Sequence, residues 1–187
     1  MDSQEKWNSK YTNRLTDNAP PEPNNRLLMM SGYLSEGEAL DIACGLGGNS
    51  IFLAEMGYEV TAFDISDVAV DFVQERAAGK KLHITVKTAD LTKEKSVLSG
   101  MKYNIVVLTY YLDRSLFPLM KELIQADGYL FIETFFQNGS SGNPNIANRY
   151  KLESNELLRE FSDWRVLYFE ENEHEGRQTI FCQKPAI

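Results

Sequence analysis

The sequence predicts an α/β protein with a doubly wound, mostly parallel seven-stranded sheet, and three observations predict it. Apolar strand-like runs alternate with helix-like segments from Glu38 to Gln183, and such alternation builds a parallel sheet covered on both faces. A glycine-rich turn, Cys44-Gly45-Leu46-Gly47-Gly48, stands between the first strand and the helix after it. The last two strand-like runs are separated by the short acidic segment ENEHEGR, which is too short for a right-handed parallel crossover. The chain therefore ends in a hairpin, and its last strand runs antiparallel.

Trp7, Tyr11 and Arg14 recur at near-helical spacing, after which Pro20, Pro21 and Pro23 remove backbone donors and force an extended path. This is an N-terminal arm. A short helix is expected over Arg26 to Met30, ending at Gly32, followed by a strand over Glu38 to Ala43. The glycine turn leads into a helix over Asn49 to Met56, closed by Gly57. The unit then repeats. Glu59 to Asp64 is a strand, Ser66 caps a helix to Ala78 that Gly79 stops, and Leu82 to Thr88 is the third strand. Tyr103 to Thr109 is the fourth, Ser115 to Gln125 a helix tolerating Pro118, Asp127-Gly128 a turn, and Tyr129 to Phe135 the fifth strand. The Gly/Ser/Asn-rich segment 136–152 is long for a connection and is the lid candidate. Ser154 is expected to cap a helix to Phe161, before strands over Trp164 to Glu170 and Gln178 to Gln183.

The composition narrows the function. The 187 residues, 43% hydrophobic and 25% charged, fit one domain over 1–187, with an arm over 1–32 and a core over 33–187. A net charge of −8 repels phosphate backbones and anionic membrane surfaces. No apolar run reaches the ~20 residues that cross a bilayer, and MDSQEKWNSK lacks the layout of a secretory leader, so a cytoplasmic protein is expected. Cys44 and Cys182 are expected to be free thiols. With His83 and His174 they make no metal-ligand spacing, so no metal is expected.

Ligands of open α/β sheets bind beyond the carboxyl ends of the strands. There the segment Asp41 to Asn49 offers glycines that let backbone approach a ligand, and a helix whose first amides favour electron-rich groups. A dinucleotide loop would read Gly-x-Gly-x-x-Gly, but after Gly45 and Gly47 the third position is Ser50. Asp64 ends the second strand, where a carboxylate can take both hydroxyls of a ribose. That marks a nucleoside without choosing one.

Read backwards, Asp41, Ala43, Gly45 and Gly47 give acidic-x-(Gly or Ala)-x-Gly-x-Gly, which resembles the first motif of class I S-adenosylmethionine-dependent methyltransferases, with Ala43 where glycine is usual. The resemblance runs through EKWNSKY, ALDIACGLGGNSIFLAEMGYEVTAFDIS, YYLDRSLFPLMKELIQADGYLFIETF and RYKLESNELLREFSDWRVLYFEE, and is to the small bacterial tellurite-resistance type. It implies a Rossmann-like sheet of order 3-2-1-4-5-7-6 and S-adenosyl-L-methionine as cofactor. It implies donor contacts from Asp41, Ala43, Cys44, Gly45, Gly47 and Asn49, from Asp64, Ile65 and Ser66, from Ala89, Asp90 (to the adenine amino group) and Leu91, and from Thr109. Trp7, Tyr11 and Arg14 of the arm would fold over the donor. Tyr110, Tyr111 and Arg114 are the residues the resemblance turns to the methyl group and its acceptor. Arg149 and Tyr150, at the end of the lid, would face an anionic acceptor, although a solvated Arg149 is the plainer reading.

A sulfonium methyl is already activated, so its in-line transfer needs alignment and water exclusion more than a metal or strong base. The expected reaction is methyl transfer to a small-molecule acceptor, a chalcogen oxyanion or a thiol, by a monomer or homodimer. Two rivals stand beside it: a protein that holds the donor or its demethylated product without transferring the methyl, and an NAD-dependent oxidoreductase.

Overall fold

The computed structural model describes residues 2–16, 20–137 and 146–186. Seven strands take the order β3-β2-β1-β4-β5-β7-β6, the order that the sequence resemblance implies. Contacts divide the chain into two compact units, Met1–Met101 and Lys102–Ile187. Among the described residues no helix is long and apolar enough to cross a membrane.

The first unit holds α1 (Ser3–Thr16), α2 (Asn25–Met29), β1 (Gly37–Ile42), α3 (Gly48–Glu55), β2 (Tyr58–Asp64), α4 (Asp67–Lys80) and β3 (Ile84–Thr88). β2 lies between β1 and β3, parallel to both, with Ile42 opposite Phe63 and Asp64 opposite Thr88. β1 and β2 bury most of their residues, with Leu40, Ile42 and Ala62 inaccessible and Leu53 of α3 and Val73 of α4 in the same buried set, whereas the edge strand β3 buries only Val86. Ser66 caps α4 as expected, accepting from Ala69 N. Gly79 does not stop the helix. α4 runs on to Lys80 and ends at Lys81 in the left-handed region, where Leu82 N donates to Ala77 O and Lys81 N to Ala78 O, the pairing that closes a helix without needing glycine.

The second unit holds β4 (Tyr103–Thr109), α5 (Leu116–Leu123), β5 (Ile124–Phe135), α6 (Glu156–Glu160), β6 (Arg165–Asn172) and β7 (Arg177–Gln183). β4 and β5 are parallel; β7 is antiparallel to both β5 and β6, so the predicted closing hairpin is present. Two local expectations fail. The helix expected to reach Gln125 ends at Leu123, and Ile124 enters β5 directly, opposite Tyr103. Asp127 and Gly128 form an irregularity inside that strand, Asp127 with φ 61°, instead of a turn ahead of it. Burial of Ile124 decides this, since pairing with β4 hides it completely. Lys184 Nζ then donates to the carbonyls of Lys121 and Ile124, which the end of α5 leaves without helical partners.

Ser154 does not cap α6. Its hydroxyl donates to Glu171 of β6, and Asn155, with φ 57°, precedes the helix. The first-turn amide of Leu157 is satisfied instead by Gln178 of β7. Of the lid candidate, 138–145 lie outside the described residues; 136–137 and 146–152 are described, with Phe136 bridging to Leu152 in parallel.

Candidate functional site

In the first unit three turns meet at the carboxyl ends of β1, β2 and β3. Ala43, Gly45 and Gly47 all have positive φ, at 56°, 54° and 78°. The chain thus curls back on itself after β1, and Cys44 N donates to Phe63 O of β2. Gly45 N then donates to Asp64 Oδ2 at 2.8 Å, while Ser66 N donates to Oδ1 at 2.9 Å. One carboxylate therefore binds the glycine turn to the end of β2 through two main-chain donors. Ala89 N, just past β3, donates to Asp64 O.

Asp41, inaccessible at the end of β1, accepts from Ser50 Oγ at 2.6 Å, and its Oδ1 is buried and meets no hydrogen-bond donor among the described residues. Ser50 is the residue that breaks the dinucleotide pattern, and here it has a reason of its own. Burial, with the negative charge of Asp64 added, raises the Asp41 carboxyl to about 7 against the bond from Ser50. Burial also raises Asp64, and it raises the Cys44 thiol, with Asp41 and Asp64 adding to the effect. A thiol kept protonated is a poor nucleophile, so Cys44 reads as a small lining residue.

The arm packs on this turn. Tyr11 is buried, stacks on Trp7 at 5.6 Å, and its hydroxyl lies 2.9 Å from where a side chain on Gly45 would begin. Burial and the charge of Asp64 push its phenol upward, so it stays protonated. Asn8 accepts from Ser66 Oγ at 2.6 Å. Arg14 is exposed on the same helix. Asn49, expected at the donor, uses its side-chain oxygen to accept from Asn24 N at 2.8 Å, and Asn24 in turn caps α2. Gly48 closes the glycine turn expected from the sequence, and a Cβ there would fall 2.2 Å from Glu22 O. Only glycine lets the arm cross the start of α3, and three glycines in four residues was the available signal. Asp90 accepts from Thr92 and pairs with Lys93 at 2.9 Å, and these partners hold its carboxyl below the usual range. Ile65 is half-buried, and Leu91 is buried beside Asp90.

In the second unit β4 ends at Thr109, and Tyr110 follows with φ 59°, its N donating to Glu133 O and its hydroxyl to Glu133 Oε1 at 3.0 Å. Glu133, 1% exposed, also accepts from Thr179 Oγ1 at 2.9 Å. Arg177 stacks over the rings of Phe135 and Tyr110, at 3.9 and 4.7 Å. Glu133, Thr179 and Arg177 were absent from the sequence reading; the signal was an acid inside the apolar run YLFIETF. Tyr111 is half-buried. Arg114 is engaged elsewhere in its unit: a two-pronged pair with Glu156, at 2.6 and 2.8 Å, and bonds to the carbonyls of Arg149 and Lys151. Arg149 stacks on Tyr150 at 4.7 Å.

A profile of the family described as "Tellurite resistance protein TehB" matches residues 25–180. A curated relative from Haemophilus influenzae, described as a probable S-adenosyl-L-methionine-dependent methyltransferase TehB, is 28% identical over an alignment of 153 residues that covers 78% of this chain and 52% of the relative. The chain thus spans about half the length of the curated relatives it matches. The crystal structure of TehB from Haemophilus influenzae superposes with a TM-score of 0.76 at 24% identity, covering 87% of this chain and 62% of that one. A SAM-dependent methyltransferase from Aquifex aeolicus shares the fold at a TM-score of 0.62 and 16% identity, covering 84% of this chain and 87% of that one. The chain belongs to the TehB family.

Proposed function

We propose that this chain is an S-adenosyl-L-methionine-dependent methyltransferase that moves the sulfonium methyl by in-line displacement to a small-molecule acceptor. The observation that carries the reading is the bond from Gly45 N to Asp64, which joins the glycine turn to the acid at the end of β2. A nucleoside needs those two features side by side: backbone open to close approach, and a fixed carboxylate for the ribose hydroxyls. The residues fit the donor in a second respect. The Asp41 oxygen without a hydrogen-bond donor suits the ammonium group of the donor's methionine part, and a cation there favours the ionised acid.

In this reading Asp41, residues 43–49, Asp64 to Ser66 and Ala89 to Leu91 hold the donor, and Trp7, Tyr11 and Arg14 cover it. Tyr110 and Tyr111 serve the acceptor, a chalcogen oxyanion or a thiol. Arg114, tied to Glu156 and to two carbonyls, serves by fixing residues 149–151. Once bound, the donor supplies an activated methyl group, and the protein supplies alignment and exclusion of water. The protein works in the cytoplasm as a monomer or homodimer. The names of the family and of the Haemophilus relative support the same reading.

Calorimetric titration with S-adenosylmethionine, S-adenosylhomocysteine and NAD in parallel tests it. Binding of the first two without NAD is expected. Binding of NAD alone, or of none, overturns the reading. Release of S-adenosylhomocysteine with an acceptor then separates an enzyme from a protein that only binds the donor.

A further inference from the structure

Among the buried and half-buried cations of the second unit, Lys121 pairs with Glu160 at 2.9 Å and Lys184 donates to the carbonyls of Lys121 and Ile124. Lys151 and Arg177 differ. Lys151 is 7% exposed, yet among the described residues its ammonium forms no ion pair and no hydrogen bond. Arg177 lies over the rings of Phe135 and Tyr110, and its Nη1 is buried without an acceptor among the described residues. Lysine is seldom buried without a partner, because the hydration it gives up is then not replaced. If packing were its whole role, a methionine would serve.

The strand register brings the two cations together. Leu152 bridges to Phe136 in parallel, and Lys151 before it is extended, with φ −120° and ψ 141°, so its side chain stands beside Phe135 on the face opposite to Leu152. Arg177 pairs with Phe135 from β7. Lys151 and Arg177 thus flank Phe135 on one face, one strand to either side and about 10 Å apart at the backbone. Two long side chains can close that gap on one small anion. The site lies at the carboxyl end of β5, where the ring of Tyr110, 47% exposed and 6.3 Å from that of Phe135, adds an apolar wall. Arg114 Nη2 donates to Lys151 O at 3.0 Å and fixes the backbone from which the lysine reaches.

We propose that Lys151 is a specificity-determining residue of the acceptor site, and that with Arg177 it seats an anionic group of the acceptor, a carboxylate or a free oxyanion. This rests on the methyl-transfer reading above. An ammonium is a compact charge with three donors, and a guanidinium stacked on rings keeps its edge N–H groups for oxygen. A neutral acceptor leaves both cations unpaired. No bond changes at this subsite; its charge selects the acceptor and orients it.

The test uses the full chain saturated with S-adenosylhomocysteine, with calorimetry of selenite, 3-mercaptopropionate and 2-mercaptoethanol, beside turnover of the same three with S-adenosylmethionine. At least one of the two anions is expected to bind about 10-fold or more tightly than the neutral thiol, the scale of a hydrogen bond to a charged group. Selenite alone identifies a free oxyanion, and 3-mercaptopropionate alone an organic carboxylate. Lys151→Met, which keeps the buried stem, should raise Kd and KM for the anion about 10-fold and leave the neutral thiol and the donor within about twofold. Lys151→Arg should keep the preference. A lysine that only packs would change charged and neutral acceptors alike, or lower the melting temperature and leave the preference intact. Either result, or no anion bound to the loaded protein, or a preference for the neutral thiol, overturns the proposal. Failure to bind S-adenosylhomocysteine at all defeats the underlying reading, and this inference with it.

Discussion

In the first unit the carboxylate of Asp64 is held by the main-chain N–H groups of Gly45 and Ser66, whereas in the second unit Glu133 is held by the hydroxyls of Tyr110 and Thr179. Both acids are buried near the carboxyl ends of parallel strands. The difference lies in what their partners can do. An amide keeps its proton, so Asp64 and the glycine turn form a fixed cradle. A hydroxyl can rotate its proton toward another acceptor, so the second arrangement is the less fixed of the two. The same contrast appears in the backbone: Ala43 after β1 and Tyr110 after β4 are both non-glycine residues at φ near +57°, at 56° and 59°, one with a minimal side chain and one with a reactive one.

The comparison breaks most readily at Asp64. Asp64→Ala removes the acid proposed to grip the ribose and leaves two amides without their partner; hydrogen bonds to charged groups contribute about 1.5–3 kcal/mol each, so donor affinity should fall about 100-fold or more. Calorimetry checks this, and an equal loss in Glu133→Gln would erase the distinction between the two acids.

The next effect concerns the close backbone approach that the first unit depends on. Gly48→Ala places a methyl 2.2 Å from Glu22 O, and overpacking of this kind costs about 1–3 kcal/mol. Thermal unfolding should show a drop of several degrees, and limited proteolysis should cut the arm faster than in wild type. An unchanged melting temperature would mean that the arm does not press on α3.

Asp41 sharpens the contrast through pH. Its carboxyl is raised from 3.8 to about 7 in the folded state, so the native protein binds more protons than the unfolded chain between those values. Stability from this group is therefore lost as pH rises from about 4 to about 7, by up to about 1.4 kcal/mol per pH unit, and is flat above. Asp64, also raised, acts in the same direction. Urea unfolding of wild type and Asp41→Asn across this range should give a stability difference that drifts against wild type as pH rises; a constant difference would place Asp41 in a wetter site.

The smallest effect is at Ala43. Ala43→Gly relieves the positive φ and should raise stability by about 0.5–1 kcal/mol, read as a small rise in melting temperature with donor binding retained. Loss of stability would show that the Ala43 methyl packs usefully and that the strain reading is mistaken.

The sequence by itself determined the sheet and the place of the glycine turn. Alternating apolar runs, the glycines at 45, 47 and 48, Asp64 at the end of its strand and the short closing hairpin are all local signals, because burial and positive φ act on a residue and its near neighbours. Helix ends were less legible. Gly79 is a glycine in open space, and Ile124 left its expected helix because strand pairing buried it. Only the tertiary structure decided which polar groups meet. Glu133 finds Tyr110 across 23 positions and Thr179 across 46, and Arg114 finds Glu156 across 42. Those meetings depend on strand register and on how far each side chain reaches, and neither follows from the periodicity of one segment.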